Sequence, residues 1–184
     1  MGLIQPCSLE HVERYGEIYA KAFSGEPWND PWDPADMDKI KEFYELADSY
    51  CHFVTSKENT IDDIPTLLEL LMKLYLSALG LPESDPETID SATSDKTDKK
   101  TVTFKKQIPT FYWEVFDPFT KEEAVCADFA EDLSEIAADL QNGMREFEAG
   151  RTGNAVFEWK FGLNSHWGNH VVDALRALHA IRIR

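Results

Sequence analysis

Apolar residues recur at three- and four-residue steps over most of this chain, which is the spacing of amphipathic α-helices. Neither recurrent period-two alternation nor an internal repeat appears. The sequence therefore predicts an all-α, single-domain bundle of about six helices with short connections. The predicted helical segments are residues 9–23, 34–54, 65–79, a short one around 110–116, and two long tracts over 121–147 and 152–183.

The helix predicted from residue 34 has a clear start, because Asp33 is a suitable N-cap and Pro34 suits the first turn. Residues 65–79 are apolar nearly all round, so this helix is expected at the centre of the core. It is shorter than the roughly 20 apolar residues that a membrane span requires. Gly80 follows its last apolar residue and is expected to end it.

Two stretches are expected to lie outside the helices. Residues 82–103 are rich in Ser, Thr, Asp and Lys, a composition typical of a long mobile surface loop. Residues 25–34 hold three prolines and two tryptophans and cannot stay helical. We expect residues 1–35, a helix followed by this loop, to pack on a helical body formed by residues 36–184.

The composition excludes several functions. The formal net charge of -16 disfavours binding to nucleic acid and to anionic membranes, since both depend on Lys and Arg. Cys7, Cys51 and Cys126 are odd in number and far apart, as in proteins with reduced thiols. The first residues lack a secretory signal pattern. We expect a cytoplasmic protein that binds neither nucleic acid nor membranes and carries no cofactor.

Four carboxylates repeat at steps of four, three and four within "CADFAEDLSEIAADLQNGM", so they are expected to form an acidic stripe along one helix. These residues are Asp128, Asp132, Glu135 and Asp139. We interpret the stripe as a solvated helix face, partly neutralised by the basic last segment and able to meet a partner. The alternative is a site for a divalent cation, which takes oxygen ligands.

The closing run "HWGNHVVDALRALHAIRIR" predicts a helix with one core-facing stripe. That stripe consists of Trp167, Val171, Ala174, Leu175, Leu178 and Ile181. His166, His170 and Asp173 fall on its flank. His179 points about 160 degrees away from His170, which excludes it from any site that the other two histidines form.

His166 and His170 are separated by one helical turn, the spacing found in zinc and di-iron helices. The metalloprotease pattern requires Glu after the first histidine, where Trp167 stands, and no Glu-x-x-His pair occurs. We therefore expect no metal here, and histidines that bond to carboxylates on a neighbouring helix. The alternative is a metal held by His166, His170 and Asp173.

Two further hypotheses concern charged and nucleophilic side chains. The basic last helix needs acidic partners, so Arg176 or His179 is expected to pair with Asp132 or Asp139. Cys51 directly precedes a histidine, but neighbours on a helix diverge by about 100 degrees and form no catalytic dyad. Nucleophile-elbow, phosphate-loop and dinucleotide motifs do not occur in the sequence.

Three blocks carry a resemblance to a known family: "YWEVFDP" at 112–118, "EDLSEIAADL" at 131–140 and "HWGNHVVDALRALH" at 166–179. From about residue 37 the chain resembles a bacterial family of small helical proteins catalogued as a domain of unknown function. That resemblance implies a helical domain and brings no activity with it. The matching residues are Asp132, Leu133, Asp139, Trp167, Gly168, Ala174, Arg176 and His179.

The N-terminal stretch "IYAKAFSGEPWNDPW" resembles the opening helix and loop of GCN-type acetyltransferases. Those enzymes bind the pyrophosphate of acetyl-CoA at a glycine-rich turn before a helix. The chain has neither this turn nor the strands that would hold it, so we do not expect an intact acetyltransferase.

Taken together, these patterns favour a non-enzymatic role as a protein-interaction or regulatory module for an unidentified protein partner. Its expected polar cluster consists of Asp128, Asp132, Glu135, Asp139, Arg176 and His179. The alternative from a different class is a metal-dependent enzyme that uses His166, His170 and carboxylates of the acidic helix.

Overall fold

The computed structural model describes residues 32–85 and 100–183, which form five α-helices and a two-stranded antiparallel sheet. The described chain is mostly helical, and the hairpin corrects the predicted all-α bundle of six helices. In chain order the elements are α1 (Pro34–Thr55), a 3-10 turn (Ile61–Asp63), α2 (Ile64–Leu79), β1 (Phe111–Glu114), β2 (Val125–Asp128), α3 (Phe129–Glu148), α4 (Thr152–Ser165) and α5 (Trp167–Arg182).

Part of the predicted architecture falls outside the described residues. This holds for the helix over residues 9–23, for Cys7, and for most of the predicted loop at 82–103. Trp32, at the start of the described chain, packs partly buried against the core. The packing of residues 1–35 as a whole on the body stays a prediction.

Helix α1 begins where the sequence predicts, with Asp33 as N-cap. Its Oδ1 accepts a hydrogen bond of 2.9 Å from the amide of Asp36, which satisfies one of the free amides at the helix start. On the inner face, Tyr50 donates its hydroxyl to the carbonyl of Leu133 on α3 at 3.0 Å. The apolar stripe of α1 and this bond set its position against α3. The buried residues of α1 are Ile40, Phe43, Tyr44, Ala47, Tyr50, Cys51 and Val54.

The central helix is α3, which packs against α1, α4 and α5. The prediction that α2 would occupy this place is wrong, because α2 buries only one face and leaves Met72, Leu76 and Leu79 more than half exposed. Although α2 is the most apolar helix, no helix within the described ranges is long and apolar enough to cross a membrane.

A β-hairpin replaces the short helix predicted around residues 110–116 and the predicted start of a helix at 121. In the register of β1 and β2, Tyr112 lies opposite Ala127 and Trp113 opposite Cys126. Aromatic and β-branched residues favour this extended pairing, and nearby prolines shorten any helix. The amide of Phe129 bonds to the carbonyl of Thr110 at 3.0 Å, so the ladder runs directly into α3.

The last predicted helical tract, over residues 152–183, is divided by a break at His166, between α4 and α5. Trp167 lies buried at this break and donates its indole N–H to the carbonyl of Trp159 at 3.0 Å. Its ring lies directly against Gly162, at a place that leaves no room for a side chain. The break therefore has one fixed geometry, held by a buried indole.

A second buried tryptophan that packs against a glycine joins α4 to α3. Trp159 is fully buried and donates its indole N–H to the carbonyl of Leu140 at 3.0 Å. Its ring lies against Gly143, where a Cβ atom would clash. The contact of Trp159 with Gly143 thus fixes the position of α4 along α3. The contact of Trp167 with Gly162 fixes the position of α5 relative to α4.

The C-terminal flank of the predicted loop at 82–103 is packed, which corrects its description as mobile surface chain at that end. Val102 is buried, and its amide bonds to the hydroxyl of Ser134 on α3 at 2.9 Å. The amide of Asn59 bonds to the carbonyl of Thr103 at 2.8 Å. Residues 100–104 therefore belong to the body of the fold.

Replacing Gly162 with alanine should destabilise the protein by about 1–3 kcal/mol, because overpacked cores must shift fixed side chains. A Cβ atom there would lie 2.5 Å from Cδ1 of Trp167. Urea denaturation followed by circular dichroism measures the effect. The control is Gly80→Ala, whose Cβ would meet its nearest neighbour at an ordinary 3.4 Å. A Gly162→Ala variant as stable as the wild type would contradict the contact.

Candidate functional site

Two histidines from the α4 to α5 junction face two carboxylates of α3. Nδ1 of His166 lies 2.7 Å from Oδ2 of Asp139, and Nδ1 of His170 lies 3.0 Å from Oδ1 of Asp132. The Nε2 atoms of the two rings are 3.4 Å apart, with the ring planes at 88 degrees. We call these four residues the histidine cluster.

The positions of the histidines follow from the break that Trp167 holds. His166 is the residue between the two helices, and its amide bonds to the carbonyl of Gly162 at 2.8 Å. His170 follows one turn into α5, on the same side as His166. Because Asp132 and Asp139 are two turns apart on α3, each carboxylate meets one histidine.

Tyr112 of β1 closes the inner end of the histidine cluster. Its hydroxyl lies 2.8 Å from Oδ2 of Asp132 and 2.7 Å from Oε2 of Glu114. Burial raises the pKa of Tyr112 well above its usual value, and the Glu114 and Asp132 carboxylates raise it further. The phenol therefore stays protonated and donates its single hydrogen to one carboxylate at a time.

The carboxylates around the cluster favour a positive charge on His170. The hydrogen bond with Asp132 raises the pKa of His170 above its usual value, burial lowers it, and the charges of Asp132, Glu135 and Asp139 raise it again. A cation placed at these rings is therefore surrounded by negative side chains.

Asp173, one turn after His170, is the most perturbed carboxyl group near the cluster. Burial raises its pKa to about 6, the charges of Glu114 and Asp132 add to the shift, and His170 and Arg176 oppose it. Asp173 is half-buried and does not complete a metal site. Within the described residues no group of three His, Cys, Asp or Glu side chains is arranged to hold a metal. The predicted ligand set of His166, His170 and Asp173 is therefore wrong as a set of three.

The four carboxylates of the predicted acidic stripe have different environments and different hydrogen-bond partners in the structure. Asp128 ends β2 and caps α3, accepting a bond of 2.9 Å from the amide of Ala130. Asp132 is buried and Asp139 half-buried, each bonded to a histidine. Glu135 lies between them and acts on His170 through its charge. The stripe is therefore not a free partner surface.

The predicted partners of α3 on the last helix were the wrong residues. Arg176 and His179 are exposed, and neither joins Asp132 or Asp139 in an ion pair within the described chain. The core stripe of α5 explains this result, since Trp167, Val171, Ala174 and Leu178 are fully buried and turn those two side chains outward. The carboxylates pair with His166 and His170 instead, which is the type of partner that the sequence favoured for these histidines.

Cys51 does not act as a nucleophile in this fold. It is buried against α3, and its Sγ lies 3.6 Å from the carbonyl of Ala137. Burial raises the pKa of this thiol to about 12, so it stays protonated near neutral pH. Cys51 and Cys126 are both free thiols.

The hairpin carries a second feature that the sequence analysis missed. Phe111 and Trp113 lie on one face of β1, since residues two apart share a face, and they are 72% and 67% exposed. Phe116 and Phe119 in the connecting loop are 77% and 98% exposed. We call these four side chains the aromatic face. The sequence signal for this strand was the period-two pattern of "FYWE". Four residues are too few to distinguish a strand pattern from a helical one.

The loop that presents Phe116 and Phe119 is ordered by Asp117. One oxygen of its carboxylate accepts from the amide of Phe119 at 2.9 Å, and the other from the hydroxyl of Thr120 at 2.5 Å. The bond with Thr120 is the largest cause that holds the pKa of Asp117 below its usual value. The aromatic face is therefore presented on a defined turn.

Comparison with known proteins identifies a family and a fold. A family model described as "Domain of unknown function (DUF5063)" matches residues 36–184. The chain is also similar to the crystal structure of protein BF1032 from Bacteroides fragilis, with 20% sequence identity and a TM-score of 0.54. That similarity covers 79% of this chain and 96% of the other, and at this identity it concerns the fold alone. No curated protein matched the chain.

Replacing Asp173 with asparagine should stabilise the protein at pH 7–8 and leave it nearly unchanged at pH 4. The raised pKa of about 6 means that the folded state resists ionisation of Asp173, so this carboxyl costs stability as pH rises from about 4 to 6. Allowing for solvent screening, we expect a gain of about 1–2 kcal/mol at neutral pH.

Urea denaturation at both pH values measures this difference. Glu123→Gln removes an exposed carboxylate of the same charge and reports the effect of net charge alone. An equal gain for Asp173→Asn at pH 4 and pH 8 would contradict the assignment.

Proposed function

Because this chain belongs to the DUF5063 family, a domain of unknown function, we propose its function from its own surface: it is a protein-interaction module that docks a basic, apolar segment of a partner protein. The observation that carries this proposal is the aromatic face of the hairpin. We further propose that it acts in the cytoplasm, in line with its expected free thiols.

The exposed aromatic area supports docking. Four aromatic side chains that are each about two-thirds exposed or more present roughly 500 Å² of apolar surface. Exposed apolar area of this kind often marks a binding site on a monomeric protein. It would also supply much of the roughly 800 Å² that each partner buries in a standard interface.

The charge around the aromatic face supports a basic partner. Between residues 111 and 128 there are five carboxylates and one lysine. The whole chain carries -16, so a second copy would bring like charges together. A segment with lysine or arginine beside apolar residues would meet both features.

The order of the hairpin supports rigid presentation. The turn around Asp117 fixes Phe119, and Tyr112 bonds the inner face of β1 to Asp132 on α3. A surface that is already ordered loses less conformational entropy on binding. The hairpin therefore needs little rearrangement to receive a partner.

A labelled peptide that alternates lysine and leucine should bind the full chain, and the same peptide with glutamate in place of lysine should not. Replacing both Trp113 and Phe119 with serine should weaken binding at least tenfold, since central aromatic residues carry most interface energy. Fluorescence polarisation measures the affinity.

The matched control is Leu76→Ser, which removes a similarly exposed apolar side chain from α2. Equal binding by the hairpin variant and the wild type would overturn the proposal. So would light scattering that shows a dimer of this chain which the hairpin variant abolishes, because the occupant would then be a second copy.

A further inference from the structure

The two rings of the histidine cluster pose a problem of proton placement. Carboxylates only accept hydrogen bonds at neutral pH, so Nδ1 of His166 and Nδ1 of His170 each carry a hydrogen toward Asp139 and Asp132. In the neutral rings both Nε2 atoms then expose a lone pair. The two Nε2 atoms lie 3.4 Å apart, and in the neutral rings neither of them has a hydrogen to donate.

A positive species at the two Nε2 atoms suits this arrangement, because it interacts favourably with the lone pair of each ring. It is either a proton on one of the rings or a metal ion bound to both. The distance between the two Nε2 atoms can be compared with that expected in a zinc site. Two nitrogens that are each about 2.0–2.1 Å from a tetrahedral zinc ion lie about 3.3–3.4 Å from one another. The observed 3.4 Å matches that edge of a coordination tetrahedron.

We propose that His166 and His170 bind a divalent transition-metal ion of the zinc class through their Nε2 atoms. Imidazole ligands suit zinc, copper, nickel and cobalt, whereas magnesium and calcium prefer oxygen. The protein supplies two ligands, and water or a ligand from solution fills the other positions. The inference is independent of the aromatic face and its proposed partner.

The surroundings of the rings are those of a metal site. Histidines that bind metals usually donate their other ring N–H to a carboxylate, which fixes the ring and makes it a stronger ligand. Asp139 and Asp132 occupy these places, and Tyr112 in turn holds Asp132. Asp139 and Asp132 are thus positioning residues rather than ligands.

The site is open to solvent on one side. The side chain of His166 is 49% exposed and borders a cleft of about 190 Å³ whose other walls include Asn142, Glu158 and Ser165. The side chain of His170 is 28% exposed. Because both rings are accessible to solvent, we expect an ion to approach them without unfolding of the helices.

The test is isothermal titration of the full chain with zinc chloride, together with cobalt absorption spectra that report tetrahedral coordination. The protein is purified without a metal-affinity column and carries Cys126→Ser, which removes an exposed thiol that could bind zinc. We expect one ion per chain. His166→Ala and His170→Ala should each weaken binding at least tenfold, since even the carboxylates behind metal ligands contribute this much.

Two further variants separate a site from general histidine binding. Asp139→Asn should weaken zinc binding about tenfold or more while leaving both ligands present. His179→Ala, an exposed histidine on the same helix, should leave the affinity unchanged. Circular dichroism confirms that each variant is folded. If His170→Ala fails to fold, His166→Ala still tests the proposal, because His166 is exposed.

Nitrogen NMR of the histidine side chains separates the metal from the proton. With zinc, both Nε2 signals should shift and neither should carry a hydrogen. Zinc affinity unchanged in both histidine variants would overturn the proposal. An Nε2 hydrogen that persists at saturating zinc would also overturn it, because a proton would then occupy the space between the rings.

Discussion

The buried indole of Trp167 is the contact on which the rest of the site depends. It lies at the break between α4 and α5, donates to the carbonyl of Trp159 and rests on Gly162. A helix that continued straight through residue 166 would carry His166 and His170 past the carboxylates of α3. Because the indole leaves only one way to close the break, the spacing of the two histidines on α5 is matched to Asp132 and Asp139.

The position of α5 also determines which side chains bond to the carboxylates of α3. The two central carboxylates of α3 are bonded by imidazoles and a phenol rather than by lysine or arginine. Each imidazole satisfies a hydrogen bond of its carboxylate through Nδ1. The basic side chains Arg176 and His179 of α5 remain exposed at the surface.

The long helices could be predicted from the sequence, and the site only in part. Helix α1 has a cap, a proline and an uninterrupted stripe, and α5 has a stripe anchored by Trp167, so period and capping were sufficient. That His166 and His170 would bond carboxylates of a neighbouring helix followed from the same geometry. Which carboxylates the histidines contact depends on the position of α5 along α3. That position is fixed by packing of tryptophan rings against glycines, which cannot be read from the local sequence pattern.

The hairpin shows the limit of periodicity more clearly. Its strands have four residues each, and "FYWEVF" places aromatic residues at spacings that suit either a strand or a turn of helix. Pairing with a segment more than ten residues later decided between them. Tyr112 and Glu114 could join the candidate site only after that pairing was known.

Asp132 gives the two surfaces of this protein a common element. Its one oxygen faces the hydroxyl of Tyr112 on the hairpin, and its other oxygen faces His170. If a partner at the hairpin shifted β1, the bond between this carboxylate and the imidazole would change with it. By thermodynamic linkage, a partner of that kind and an ion at the histidines would alter each other's affinity by an equal factor, through one buried carboxylate.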